Sequence, residues 1–137
     1  MSLQSIIDDF EFLDDWDDRY KYIIDIGKTL NSLSEGEYND TNKVDGCASQ
    51  VWFIVEEKVI RGKNVLKFRG DSDAFIVKGL IVIIFTMFSE KTPEDILKID
   101  FISELRKLQL QENISQQRSN GLTAMINTVI SEAQKRV

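Results

Sequence analysis

Residues 75–88 read FIVKGLIVIIFTMF, and Lys78 is the only charged side chain in the run. A segment this apolar is hydrophobic on every side if it is helical, so the remainder of the chain has to be wrapped around it. It falls short of the roughly 18 residues that would cross a bilayer, which predicts a buried core helix and no membrane span. Asp71, Ser72 and Asp73 stand directly before it, where short polar side chains cap a helix and acids favour the positive end of its dipole.

What can wrap that helix is bounded by composition. The chain has 137 residues, 42% of them hydrophobic, which suits one domain over residues 1–137. It has no His, one Cys and one Pro. Without His there is no Ser-His-Asp triad, no Cys-His dyad and no His metal ligand. One Cys excludes an internal disulfide and a Cys-rich zinc or iron–sulfur site. Seventeen Lys and Arg against 23 Asp and Glu give a net charge of -6, and no basic run is present, so nucleic acid is not an expected partner. The start MSLQSIIDDFEF lacks the basic and apolar regions of a signal peptide. A cytoplasmic location is therefore expected, where a lone Cys stays a thiol.

The periodicity predicts two helices in residues 4–31, one with Ile6, Phe10 and Leu13 on a stripe, the second with Trp16, Tyr20, Ile23, Ile24 and Gly27. Asp14 or Asp15 caps the second, and the acidic run Asp14–Asp18 reads as its solvated first turn, with no EF-hand spacing. Residues 31–46 are polar and turn-rich and predict a loop. Val51–Val55 and the pattern VLKFR, separated by a turn at Gly62-Lys63-Asn64, predict an antiparallel hairpin ending at Gly70. Because a lone hairpin is marginal, a third strand is expected, with 39–42 as its candidate, or helices over one face. Thr92 with Pro93 opens a short helix, Asp100 opens another, and Ser115 caps a long one burying Leu122, Met125, Ile126, Val129, Ile130 and Ala133. Helices around a hairpin, with no strand-helix-strand alternation, make the class α+β.

Chemistry is scarce in such a chain. Cys47 sits in small, polar flanks, DG before and ASQ after, between a turn and a strand. Locally it reads equally as a small buried hydrophobe or as an accessible thiol. Asp71 and Asp73 read as caps rather than as a paired acid and base. Arg118 lies in the first turn of the last helix, against the dipole, and is either a solvated or paired Arg or an electropositive group for a thiolate. Trp16, Tyr20, Trp52 and Phe53 read as packing residues.

Larger motifs carry the reading further. Val44-Asp45-Gly46-Cys47-Ala48-Ser49-Gln50-Val51-Trp52, then Phe68-Arg69-Gly70-Asp71-Ser72-Asp73-Ala74 and Val77-Lys78-Gly79-Leu80, closely resemble the SufE family of sulfur acceptors. Trp16 to Tyr20, Gly27-Lys28, Thr92-Pro93 and Arg118-Ser119-Asn120-Gly121-Leu122 match it too, so the resemblance spans about residues 8–130. It implies a small antiparallel sheet of about three strands against several helices, a fold shared with IscU-type scaffolds. It also implies a partner, a PLP-dependent, SufS-like cysteine desulfurase, whose persulfide sulfur is accepted on Cys47 and passed to a downstream Fe–S scaffold. The carrier stimulates the desulfurase and needs no cofactor of its own. Independent enzymatic turnover is not expected.

On that resemblance Gly46, Ser49, Gln50 and Trp52 are the expected partner contacts. Arg118 is the expected helper cation, with Arg19 or Lys78 behind it, and Asp73 the expected loop-positioning carboxylate. Sulfur transfer needs one nucleophile and no resolving thiol, so a single Cys suits a carrier, and a single Cys cannot hold a cluster within one chain. A persulfide needs shelter from stray thiols, so Cys47 is expected to be partly covered by apolar groups on a 43–50 loop that swings out on docking. A relay to another thiolation pathway and a non-catalytic adaptor are the alternative readings.

Overall fold

The structure is a computed structural model that describes all residues 1–137. It has helix α1 (Leu3–Phe12), α2 (Trp16–Gly27), a single 3-10 turn at Glu35–Glu37, strands β1 (Val51–Ile60) and β2 (Lys63–Ser72), then α3 (Phe75–Phe88), α4 (Pro93–Lys98), α5 (Phe101–Leu108), α6 (Leu110–Asn113) and α7 (Gln116–Gln134). The class is α+β, as the element order predicts. No helix is long and apolar enough to cross a membrane.

The apolar run is α3, and it is the centre of the molecule. Leu80, Ile81, Ile83, Ile84 and Phe88 are fully buried, each worth about 1.5–3 kcal/mol relative to exposure. α2 crosses it at a point where each helix has a glycine, Gly27 and Gly79. A Cβ on Gly79 would stand 2.0 Å from the Ile23 carbonyl oxygen, and one on Gly27 would stand 2.6 Å from the Gly79 nitrogen. Ring packing ties the hairpin to the same helix, with Phe85 centred 5.1 Å from Phe53 and 5.9 Å from Phe68. α1 and α7 close the remaining sides with Ile6, Phe10, Leu122, Met125 and Val129.

Four of the caps fall where the sequence places them. Asp15 accepts the Asp18 N–H at 2.9 Å, Thr92 that of Asp95 at 3.1 Å, Asp100 that of Ser103 at 3.2 Å and Ser115 that of Arg118 at 3.2 Å. α6 is a single turn entered through Gln109 in the left-handed region (φ 54), and no periodic pattern announces it.

Three expectations about the middle of the chain are corrected. The sheet has two strands, not three. The Asn39 side chain accepts the Asn42 N–H at 3.0 Å and curls that segment into a turn, so Lys43 alone bridges to Trp52 on one edge and Lys91 alone to Leu66 on the other. Helices cover the face instead. The hairpin reverses at Arg61-Gly62, with φ of 52 and 77, the two positive angles of a two-residue type I′ turn. Finally, Asp71 and Ser72 belong to β2, paired with Trp52 and Val51, and α3 begins at Phe75 with Ala74 as an N-cap that makes no side-chain bond. The strand ladder keeps that backbone extended, and the polar trio is used elsewhere.

Candidate functional site

The site starts where the incoming chain meets the first residue of the hairpin. Val44 and Val51 are buried, and the Val44 N–H donates to the Val51 carbonyl at 2.8 Å, so the chain between them is a closed loop of six residues with Cys47 near its tip. Gly46 takes φ 90, and a Cβ there would lie 3.2 Å from the Ala124 side chain; glycine fits both the turn and the approach to α7.

Two of the polar trio, Ser72 and Asp73, hold one end of this loop. Asp73 accepts the Gln50 N–H at 3.0 Å and its side-chain amide at 3.4 Å. The Asp73 N–H and the Ser72 hydroxyl both donate to the Gln50 carbonyl, at 3.3 and 2.7 Å. Between Asp45 and Ser49 the one hydrogen bond to the body is a weak contact in which the Cys47 thiol donates to the Gly121 carbonyl at 3.6 Å.

Below the loop, the thiol is half-buried beside a cavity of about 20 Å³ bounded by Val77, Leu80, Arg118, Gly121 and Met125. Burial pushes the Cys47 thiol above its ordinary value. Arg118 lines the cavity, and burial rather than this cation sets the direction of the shift. Its guanidinium donates to the Tyr20 hydroxyl at 2.7 Å and lies 5.9 Å from that ring's centre, joining α7 to α2.

The other cations are committed elsewhere. Arg19 donates to the Phe10 and Leu13 carbonyls at 3.0 and 3.1 Å, closing the end of α1. Lys78 stands 3.7 Å from Asp71 and 5.9 Å from the centre of the Phe75 ring.

The upstream limb of the loop has its own anchors. Tyr38 donates to buried Asp71 at 2.6 Å, accepts the Leu33 N–H at 3.0 Å and packs edge-on to Trp52 at 5.0 Å. The bond to the Asp71 carboxylate, then burial, raises the Tyr38 phenol. Arg69 grips both Glu37 oxygens at 3.0 and 2.6 Å and reaches Glu56 at 2.5 Å. That grip holds Glu37 down at about 2.

Of the expected site residues, Cys47, Ser49 and Arg118 meet at the cavity, Gln50 and Asp73 form the latch beside it, and Gly46 supplies the turn. Trp52 stands apart in β1, half-buried against Tyr38. Tyr20, Tyr38 and Gly121 also neighbour the site, where the sequence reading gives Tyr20 a packing role and the other two none. Gly121 carried a signal, because a glycine inside an amphipathic helix costs about 1 kcal/mol against Ala and asks for a packing reason.

Known proteins identify the family and the fold. A family profile described as SufE, Fe-S metabolism associated domain, matches residues 4–133. This chain belongs to the SufE family. Uncharacterized SufE-like proteins of Rhizobium etli and Rhizobium meliloti are each 46% identical to it, over 98% and 99% of its length and 91% and 97% of theirs. The solution structure of a hypothetical protein from Thermus thermophilus shares the fold, with a TM-score of 0.72 at 19% identity over 99% of this chain and 98% of that one. The family label places this SufE-family chain in Fe–S metabolism.

Proposed function

We propose that this protein is a sulfur carrier that takes persulfide sulfur from a PLP-dependent cysteine desulfurase onto Cys47, stimulates that enzyme and hands the sulfur on for iron–sulfur cluster assembly. The observation that carries the reading is the placement of the chain's one thiol at the tip of a closed loop with a weakly held tip, half-buried over a small, largely apolar cavity. A loop pinned at its ends and loose at its tip can deliver a nucleophile into a partner's site and withdraw it.

The chemistry needs nothing the partner does not bring. The Cys47 thiolate attacks the outer sulfur of the donor's Cys–S–SH. A new S–S bond forms on Cys47, the old one breaks, and the donor cysteine leaves as thiolate, so no external oxidant or reductant enters. In the withdrawn loop burial favours the neutral thiol, the less reactive form. Leaving the cavity returns it toward the ordinary value of about 8.5, and Arg118 is the one cation that lines the cavity. Asp73 acts as a positioning residue that sets how often the loop leaves.

The test is to mix the protein with a desulfurase and free cysteine and measure intact mass. A gain of about 32 Da on the wild type, absent in Cys47→Ser, is expected for one transferred sulfur. No gain with any cognate desulfurase overturns the reading. Arg118→Ala is expected to lower persulfide yield and stimulation, and unchanged values would remove Arg118 from the mechanism.

A further inference from the structure

We infer that Gly121 is the residue that makes the closed site fit a persulfide as well as a thiol: its missing side chain leaves, beside Cys47, the room for one additional sulfur atom. This rests on the carrier reading and goes beyond it, because it assigns the retreat of the loaded loop to a single position on α7.

The geometry is specific. Gly121 is buried in the second turn of α7, where its carbonyl receives the thiol. A Cβ built on it would stand 3.5 Å from the Cys47 sulfur and 3.8 Å from both Cα and Cβ of Cys47. Those are ordinary van der Waals separations, so alanine is compatible with the reduced, closed loop. No steric clash with the thiol form explains the glycine, and the helix itself prefers alanine. What the glycine leaves is space. The cavity of about 20 Å³ at this point exceeds the roughly 10–15 Å³ needed to seat a single water-sized atom. An outer sulfur lies about 2 Å from the Cys47 sulfur, within reach of that void. Val77, Leu80 and Met125 around it offer apolar contact and no competing thiol. An alanine methyl takes the same space. The thiol form then closes as before, and the persulfide form is held out in solvent.

The test charges the protein without a desulfurase, using sodium tetrasulfide, whose sulfane sulfur is attacked by the Cys47 thiolate with release of trisulfide. Loading is confirmed by intact mass, and loss of the added sulfur to excess dithiothreitol is followed for wild type and Gly121→Ala. Alkylation of the uncharged thiols by iodoacetamide is followed alongside. Several-fold faster loss of the persulfide in Gly121→Ala, with equal thiol alkylation and an equal or higher melting temperature, is the expected result. Equal persulfide lifetimes overturn the inference. So does thiol alkylation accelerated as much as persulfide loss, because the methyl would then have displaced the loop itself. If a desulfurase fails to load the wild type while the tetrasulfide result stands, the carrier reading falls and the role of Gly121 survives.

Discussion

Gly79 and Gly121 both sit inside helices, both are buried, and both lack the side chain that a helix favours, yet the space each leaves is used in opposite ways. At Gly79 the space is filled: the α2 backbone comes so close that a Cβ would lie 2.0 Å from the Ile23 carbonyl oxygen. At Gly121 the space stays open beside the thiol, with the nearest atom at 3.5 Å. One glycine belongs to the rigid frame and the other to a place that changes its contents. Substitution separates them. Gly79→Ala forces α2 and α3 apart along the main core contact and is expected to cost about 3 kcal/mol or more, a fall of roughly 10 °C in melting temperature for a domain of this size. Gly121→Ala is expected to leave the melting temperature unchanged or slightly raised. Thermal melts of the two variants with equal losses would break the comparison.

The same contrast runs through two carboxylates two residues apart. Asp71 is buried, and its oxygens are taken by the Tyr38 hydroxyl, the Ser72 N–H and Lys78. Asp73 is exposed and spends its oxygens on Gln50, at the edge of the thiol loop. Asp71→Ala removes a buried carboxylate, leaves the half-buried Tyr38 hydroxyl without its charged acceptor and is expected to cost about 2 kcal/mol. Asp73→Ala is expected to change the melting temperature little and to speed alkylation of Cys47 several-fold, because it releases the latch without touching the core. Melting and alkylation measured on both variants sharpen the division between base and tip. Faster alkylation in Asp71→Ala than in Asp73→Ala would erase it.

The frame was legible because it is written in local patterns. The apolar run 75–88, the cap residues Asp15, Thr92, Asp100 and Ser115, and the β-branched runs each declare their element within a few residues. What escaped was decided at long range. Asp71-Ser72-Asp73 has the local signature of a helix cap, but the ladder from Val51 to Ile60 extends β2 through Ser72, which leaves Ser72 and Asp73 on Gln50 and Asp71 on Tyr38. Asn39–Asn42 is the local exception, since an Asn39 side-chain bond to a backbone N–H three residues on curls it before it can pair as a strand. The site divides the same way. Cys47 stands out by being alone and by its motif. The Arg118 bond to Tyr20 spans 98 residues, and the void beside Gly121 is a property of three elements meeting, which no window of sequence contains.

The finest difference lies between the closed and open states of one thiol, and pH resolves it. Burial raises the Cys47 thiol, so its neutral form is favoured in the folded, closed state. The alkylation rate of the wild type is therefore expected to rise with a midpoint above the ordinary value of about 8.5. In Asp73→Ala the midpoint moves back toward it, since a larger share of molecules presents the thiol to water. The sign for stability follows from the same direction. A group whose folded-state value is raised contributes stability that is whole below its unfolded value and is lost as pH climbs through the folded one. Subtracting the urea stability of Cys47→Ser from that of wild type cancels the other titrating groups, including the raised Tyr38 phenol. That difference is expected to be flat below about pH 8.5 and to fall above it. A difference that grows with pH would mean that the folded loop favours the thiolate, and Arg118 rather than burial would then govern the resting site.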